Sequence, residues 1–219
     1  MKCTFCRRAW PVLVIFFVLT LTPVYAQAAK RLYLAGYAGL NIFPEQNFKE
    51  DTFPDVDSKI GIQDGTAFAG AIGFKLTPQL RIEGELSHLN ADLDMIDIAG
   101  ADVFPLGGDI KSTLAMLNVY YDFDLSWKKL RPFVGAGIGY AWHEVNIDSI
   151  DNVALNEAED ASGYVWQVGG GARYPLAKDV ALIGAYRYID GADLDMDGDK
   201  MDYGTHEFRV GISWDLPFE

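Results

Sequence analysis

The sequence predicts an all-β fold, an eight-stranded antiparallel up-and-down β-barrel. Three observations carry this prediction. Eight segments alternate between large apolar residues and small or polar ones, their connections alternate between short and long, and no segment after residue 28 has 18 consecutive apolar residues. Alternation with a period of two is typical of strands whose two faces meet different surroundings.

Residues 1–28 are predicted to be an export signal that is removed. A basic start is followed by an apolar run over residues 11–21 and by the small-x-small site Ala26-Gln27-Ala28. The apolar run is shorter than the roughly 20 residues of a membrane-spanning helix, which favours cleavage over a retained anchor. Residues 29–219 are then long enough for one folded domain.

The composition excludes several classes of function. Both cysteines, Cys3 and Cys6, lie in the predicted signal, so disulfides, thiol catalysis and cysteine metal sites are not expected in the mature chain. Without its signal the chain has 15 basic residues against 31 acidic ones, a net charge of −16. Nucleic acid phosphates would repel it, so no nucleic acid partner is expected. Because the sequence has no phosphate loop, zinc pattern or nucleotide fingerprint, no cofactor is expected.

The predicted strands are separated by connections that point to a membrane. The strands lie near residues 31–41, 65–76, 80–90, 110–123, 131–145, 162–174, 180–190 and 203–217. The connections are alternately long (42–64, 91–109, 146–161 and 191–202) and short (77–79, 124–130 and 175–179). In an up-and-down sheet all the long connections share one end. Short periplasmic turns and long extracellular loops are the pattern of an outer-membrane barrel, with both chain ends in the periplasm.

The two faces of the strands support the same interpretation. Large apolar residues occupy one face, and small or polar residues, many of them glycine, occupy the other. The apolar face carries aromatic residues near the strand ends, namely Tyr120 or Tyr121, Tyr140, Trp142, Tyr164, Trp166, Tyr174, Tyr186, Tyr188 and Trp214. Such girdles favour a membrane barrel over a soluble β-sandwich, which would also alternate. In the first strand both faces are apolar, and the sequence does not assign its lipid side.

The inward face would collect polar and charged side chains in a narrow space. They are Arg81, Glu83, Glu85, Ser87, Asn118, Gln167, Arg173, Arg187, Glu207 and Arg209. Eight strands enclose a space that side chains just fill, and enclosed charges are costly unless they are paired. We therefore expect a structural network that closes the lumen, in which Glu83 and Glu85 pair with Arg173, Arg187 and Arg209. The alternative is a path for a small polar solute.

The last long connection contains a partial match to a calcium-binding loop. Asp193, Asp195, Asp197 and the following glycine resemble the first half of an EF-hand loop, with Asp199 as a further oxygen donor. The match fails at the twelfth position, where Gly204 replaces the bidentate glutamate. A solvated acidic loop is the alternative, and the other long connections are acidic too, which would suit divalent-bridged contact with lipopolysaccharide phosphates.

Catalysis is considered because some small barrels are lipid hydrolases or acyltransferases. The histidines are His88, His143 and His206. A hydrolase needs serine, histidine and an acid that converge. Ser87 and His88 are adjacent in a strand, so their side chains point to opposite faces. The chain is therefore predicted not to be an enzyme.

Two segments carry a resemblance to a known family. Residues 131–140 (RPFVGAGIGY) and 208–214 (FRVGISW) resemble the small outer-membrane β-barrels of Gram-negative bacteria, typified by the OmpA membrane domain, the opacity-type porins and OmpW-like proteins. The resemblance implies a structural or surface-interaction role, or a narrow channel for small or hydrophobic solutes. It also implies a monomer in contact with outer-membrane lipid and lipopolysaccharide, inserted by the barrel-assembly machinery. The family usually ends in an aromatic residue, whereas Phe218 is penultimate here.

Overall fold

The described part of the chain is built mainly from β-strands. The structure, a computed structural model, describes residues 32–44, 46–49, 58–98, 103–125, 129–150, 153–191, 194–196, 199–201 and 204–216. The predicted export signal, residues 1–28, lies outside these ranges and stays a prediction. Within the described ranges, no helix is long and apolar enough to cross a membrane.

Eight long strands form a closed antiparallel barrel. In chain order the strands are β1 (Leu32–Ile42), β2 (Gln46–Lys49), β3 (Ser58–Ile62), β4 (Gly65–Lys75), β5 (Leu80–Ile98), β6 (Val103–Asp122), β7 (Arg131–Ile150), β8 (Val153–Pro175), β9 (Val180–Gly191), β10 (Leu194–Met196), β11 (Asp199–Met201) and β12 (Gly204–Asp215). The barrel consists of β1, β4, β5, β6, β7, β8, β9 and β12. Each of these strands pairs with the next, and β12 closes the barrel by pairing with β1. The predicted eight-stranded barrel is confirmed.

The predicted long loops are largely strands, which corrects the sequence interpretation. β5, β6, β7 and β8 continue without a break through most of residues 91–109 and 146–161. The short strands β10, β11, β2 and β3 pair in that order, and β3 pairs with residues 93–98 of β5. Together these segments form an outer extension of the barrel. The extensions of β5, β7 and β8 were missed because their exposed residues include Asp92, Asp94, Glu144, Asp148 and Asp160 instead of large apolar residues, which removes the lipid-facing half of the pattern.

A row of irregular pairs across β3, β5, β6, β7 and β8 marks the start of the outer extension on that side of the barrel. The register shifts at Gly61/Ile62, at Asp92/Met95, at Gly107/Gly108 and at Ile147/Ser149. Gly108 has a φ of 156°, and a Cβ atom there would collide with the carbonyl oxygen of Asn146. Bulges bend and twist a strand locally, so these strands change direction at this level.

The outward face between the two ends is a band of exposed apolar side chains. Aromatic residues border it on both sides, as predicted. Tyr121, Tyr174 and Trp214 lie toward the short connections, and Trp142, Tyr164, Trp166 and Tyr186 lie toward the outer extension. We call the end with the short connections (residues 76–79, 123–130 and 176–179) the turn end, and the opposite end the loop end.

The structure assigns the faces that the sequence left open. In β1, Leu34, Leu40 and Ile42 are exposed on the outside, whereas Tyr33 and Tyr37 are buried in the lumen. In β6, Tyr121 is outside and Tyr120 is in the lumen. Three tyrosines therefore join the interior that was predicted mainly from charged residues.

Inward glycines lie directly opposite large inward side chains. The pairs are Gly73 with Tyr33, Gly211 with Tyr37, Gly135 with Tyr120, Gly137 with Asn118, and Gly169 with Arg187. A Cβ atom at any of these glycines would collide with the paired residue. The glycine-rich face is therefore a set of spaces into which neighbouring strands place their large side chains.

Candidate functional site: the barrel interior

Arg187 on β9 is the centre of the charged interior. Its Nη2 donates to Glu207 Oε2 at 2.7 Å, and its Nε donates to the same oxygen at 3.0 Å. Its Nη1 donates to Glu85 Oε1 and to Gln167 Oε1, both at 2.7 Å. Arg187, Glu85 and Glu207 are each less than 5% exposed. One guanidinium thus joins three other strands across the lumen, since these partners lie on β5, β8 and β12.

Arg209 on β12 binds the same Glu85 carboxylate from another side. Its Nη1 donates to Glu85 Oε2 at 2.8 Å and to Oε1 at 3.0 Å, while its Nη2 donates to the Tyr120 hydroxyl at 3.2 Å. Its guanidinium lies 4.1 Å from the centre of the Tyr37 ring. Glu85 is therefore shared by two buried arginines, and it is the only described carboxylate that forms an ion pair with Arg209.

Glu83 on β5 is held mainly by tyrosines. Tyr33 donates to Glu83 Oε2 at 2.7 Å, and Tyr37 donates to Oε1 at 3.2 Å. Arg81 Nη1 donates to the Tyr33 hydroxyl at 3.0 Å and lies 3.4 Å from Glu83 Oε2. Arg81 Nε also donates to Asp122 Oδ2 at 3.1 Å. This second group lies nearer the turn end than Arg187 does.

The structure places all the charged residues predicted for the interior inside the barrel, but their pairing differs. Arg81, Glu83, Glu85, Arg173, Arg187, Glu207 and Arg209 are each at most 9% exposed. Arg173 was expected to pair with Glu83 or Glu85, and this is wrong. Its Nη2 donates to Ser213 Oγ at 2.9 Å near the turn end, and its Nη1 is 4.0 Å from Asp122. The register of β8 puts Arg173 opposite Arg131, too close to the turn end to reach either glutamate.

Sequence reasoning missed Asp122, Tyr33 and Tyr37. Asp122 has the same parity as Asn118 on β6, so the alternation could have placed it inside. It stands at the end of the predicted strand, however, where a carboxylate exposed to water fits the sequence equally well. With Asp122, the buried charges among the described residues balance as four arginines against four carboxylates: Arg81, Arg173, Arg187 and Arg209 with Glu83, Glu85, Glu207 and Asp122. Such balance is what an enclosed ionic network requires.

An apolar layer fills the lumen above the charged network, toward the loop end. Its buried members are Ala67, Leu89, Leu114, Met116, Ala141, Ala161, Val165 and Ile189. Leu114 and Ile189 are 0% exposed, and Leu89 is 2% exposed. A second apolar cluster, Ile62, Ala91, Leu93, Leu106, Ile110 and Val145, lies where the outer extension begins, and Phe43 packs against both clusters. The interior thus has a charged inner part and an apolar outer part.

The histidines lie on different faces. His88 and His206 are on the outside, and Ser87 is buried while His88 is exposed, so this adjacent pair does not converge. His143 is in the lumen, where its Nδ1 is 2.7 Å from Ser112 Oγ. This serine–histidine pair is a contact that the sequence did not suggest. Both residues are only 2% exposed, so a lipid outside the barrel has no access to them.

Two short strands in the segment with the calcium-like pattern, β10 and β11, pair antiparallel. Asp195 lies opposite Lys200, and Met196 lies opposite Asp199, with Asp197-Gly198 between the two strands. An Asp-Gly pair is a strong hairpin turn signal. The carboxylates of Asp193, Asp195, Asp197 and Asp199 lie outside the described side chains, and the described residues contain no cluster of acids and histidines that would hold a metal.

A family model identifies the chain through most of its length. The model described as the outer membrane protein beta-barrel domain matches residues 13–215. No curated protein matches the sequence significantly.

Solved structures share the fold at low sequence identity. Neisserial surface protein A has 16% identity and a TM-score of 0.56, with 84% of this chain and 96% of that chain covered. OprG from Pseudomonas aeruginosa has 13% identity and a TM-score of 0.57, with 85% and 96% covered. A major outer membrane protein from Thermus thermophilus has 15% identity and a TM-score of 0.50, with 84% and 98% covered.

Proposed function

Since the chain belongs to the outer membrane protein beta-barrel domain family, we propose that it is a non-conducting barrel with a structural and surface-interaction role. The observation that carries this proposal is the filled lumen. A solute entering from the turn end meets the network around Arg187 and Glu85, and above it meets the apolar layer around Leu114. The apolar layer disfavours the passage of ions, because ions require polar or solvated surroundings, and the side chains of the charged network bind one another.

The loop end supplies the surface for interaction. Its described carboxylates face outward, and they include Asp64, Asp92, Asp94, Glu144, Asp148 and Asp160. Glu144 and Asp160 are directly opposite each other on β7 and β8, and both are exposed. Like charges in this arrangement repel, so we expect the surface to attract divalent cations and, through them, lipopolysaccharide phosphates.

We also propose how the protein reaches the outer membrane and how it is oriented there. The export signal over residues 1–28 is cleaved, the barrel-assembly machinery inserts a monomer into the outer membrane, and the turn end faces the periplasm. Lipid contacts the exposed apolar band. Mass spectrometry of the N-terminal peptide of the mature protein tests the cleavage site after residue 28.

The competing function is a narrow channel for small or hydrophobic solutes. The charged inner half of the lumen favours it, since polar side chains line many ion paths. Single-channel recording in planar bilayers separates the two functions. We expect no ohmic current from the wild-type protein or from Arg209→Ala and Glu85→Ala, because the apolar layer remains. Leu89→Ala and Leu114→Ala combined with Glu85→Ala open both layers, and this is the matched variant in which current is expected. Ohmic current in the wild type that changes with Arg209→Ala would refute the non-conducting barrel.

We also propose that the protein has no catalytic activity. The support is geometric: Ser87 and His88 point to opposite faces, and the pair Ser112 and His143 is buried. Overexpression followed by mass spectrometry of lipid A tests this proposal. Altered acylation of lipid A that disappears with Ser112→Ala would overturn it.

A further inference from the structure

A small charged cavity lies at the turn end of the barrel, below the network around Arg187. Its volume is about 280 Å³. Its charged lining residues are Lys75, Asp122, Arg131, Arg173, Lys178, Asp179 and Asp215. Four cations and three carboxylates thus face one space, in a chain whose total charge is −13.

Two of these carboxylates are already bound. Asp215 Oδ2 accepts a hydrogen bond from Lys75 Nζ at 2.6 Å. Asp122 accepts hydrogen bonds from Arg81 Nε at 3.1 and 3.4 Å, so its charge is used mainly by that arginine. Of the carboxylates that line the cavity, only Asp179 is left to balance the remaining cations.

Arg173 lacks a charged partner at hydrogen-bonding distance. It is 9% exposed, its Nη2 donates to the neutral hydroxyl of Ser213, and its buried Nε has no acceptor among the described residues. Arg131 lies directly opposite Arg173 in the pairing of β7 with β8. Directly opposite residues project from the same face of a sheet, and like charges there repel each other.

Two further cations, Arg131 and Lys178, line the same cavity. Neither Arg131 nor Lys178 forms an ion pair with any residue that the structure describes. Both are exposed at the turn end. Arg131 and Lys178 thus provide two unpaired positive charges, and Arg173 adds a third that has only Asp122 at 4.0 Å, a carboxylate already bound by Arg81.

We propose that this cavity binds a phosphate group, with Arg173, Arg131 and Lys178 as its ligands. A guanidinium offers paired N–H donors that match phosphate oxygens, and an ammonium adds a compact charge. A bound phosphate also offsets the repulsion between the opposed arginines. Because the turn end faces the periplasm in barrels of this type, the group is either free inorganic phosphate or the headgroup of an inner-leaflet phospholipid.

The test is titration of the folded, full-length barrel with inorganic phosphate in a maltoside detergent, by calorimetry at pH 7 and constant ionic strength. We expect one saturable site per chain in the millimolar range or tighter. Arg131→Gln and Lys178→Gln should each weaken it about tenfold or more, because each removes a charge-assisted contact. Both residues are exposed, so these variants should fold, and the gel mobility of unboiled samples checks this.

Lys129→Gln is the matched control, since Lys129 is an exposed cation at the same end outside the cavity lining. Its affinity for phosphate should equal that of the wild type. A short-chain phosphatidylglycerol added as competitor distinguishes the two sources: it displaces inorganic phosphate if the site takes headgroups, and does not if the site takes only the free ion. Absence of saturable phosphate binding, or equal weakening by Lys129→Gln, would overturn the proposal.

Discussion

Glu85→Gln provides the sharpest test of the charged interior, because one carboxylate serves two buried arginines. Glutamine has nearly the same shape, so the change removes the charge and replaces one accepting oxygen with an NH2 group that faces an arginine donor. Arg187 keeps Glu207 at 2.7 Å, whereas Arg209 keeps no described carboxylate within an ion-pair distance. A buried charge that loses its partner costs about 3–5 kcal/mol. We therefore expect the free energy of unfolding to fall by about that amount.

The assay is reversible urea unfolding of the barrel in lipid vesicles, followed by tryptophan fluorescence. Arg209→Gln added to Glu85→Gln should recover about half of the loss or more, because the remaining pair Arg187 and Glu207 is again balanced. Glu144→Gln, an exposed carboxylate on the outer face, is the control and should change stability by less than about 0.5 kcal/mol. A loss below about 1 kcal/mol for Glu85→Gln, with additive effects in the double variant, would mean that water screens the network and that the lumen is not closed.

Three further predictions concern packing and surface charge. Gly73→Ala should lower the free energy of unfolding in urea by about 1–3 kcal/mol, because the new Cβ meets the buried ring of Tyr33. Gly70→Ala, on the outer face of the same strand, should be nearly neutral, because its Cβ has nothing within 4 Å. Leu114→Ala should cost about 2–5 kcal/mol by the same assay, because it opens a cavity in the apolar layer. The Lys111 ammonium lowers the pKa of Asp109 by hydrogen bonding. The ionised carboxylate therefore stabilises the fold above the pKa that it has in the unfolded chain, and this stabilisation is lost as pH falls through the lowered pKa of the folded state. The free energies of unfolding of the wild type and of Asp109→Asn should differ at neutral pH and converge in acid.

The alternation of residues predicted the barrel and its inward face well. The period of two placed Arg81, Glu85 and Arg187 inside, because a strand offers only two faces and the other one was apolar. Alternation failed in β1, where Tyr33 and Leu34 are both large and apolar in character. Only the pairing of Tyr33 with Gly73 on the next strand shows which of them has room inside.

Pairing partners within the lumen could not be predicted from parity. Arg173 and Arg187 share a face, but their heights along the barrel axis depend on the stagger between strands. That stagger puts Arg187 opposite Gly169 at the level of Glu85, and puts Arg173 beside Ser213 near the turn end. The outer ends of β6 and β7 could not be predicted either, because outward residues that face water need not be apolar.

The outer extension sets the height of the molecule. β7 has 20 residues, and at about 3.3 Å per residue with a tilt of about 40° it rises about 50 Å along the barrel axis. The apolar band of such barrels is about 25 Å tall, so roughly half of the strand stands clear of the lipid. A hydrogen-bonded cylinder of this length holds Glu144 and Asp160 just beyond the aromatic border, at the level of the headgroups, and carries Asp148 above them on a stiff support. Shortening the tip of the β7–β8 hairpin by pairs of residues would lower that rim in steps, leaving the membrane-embedded part unchanged.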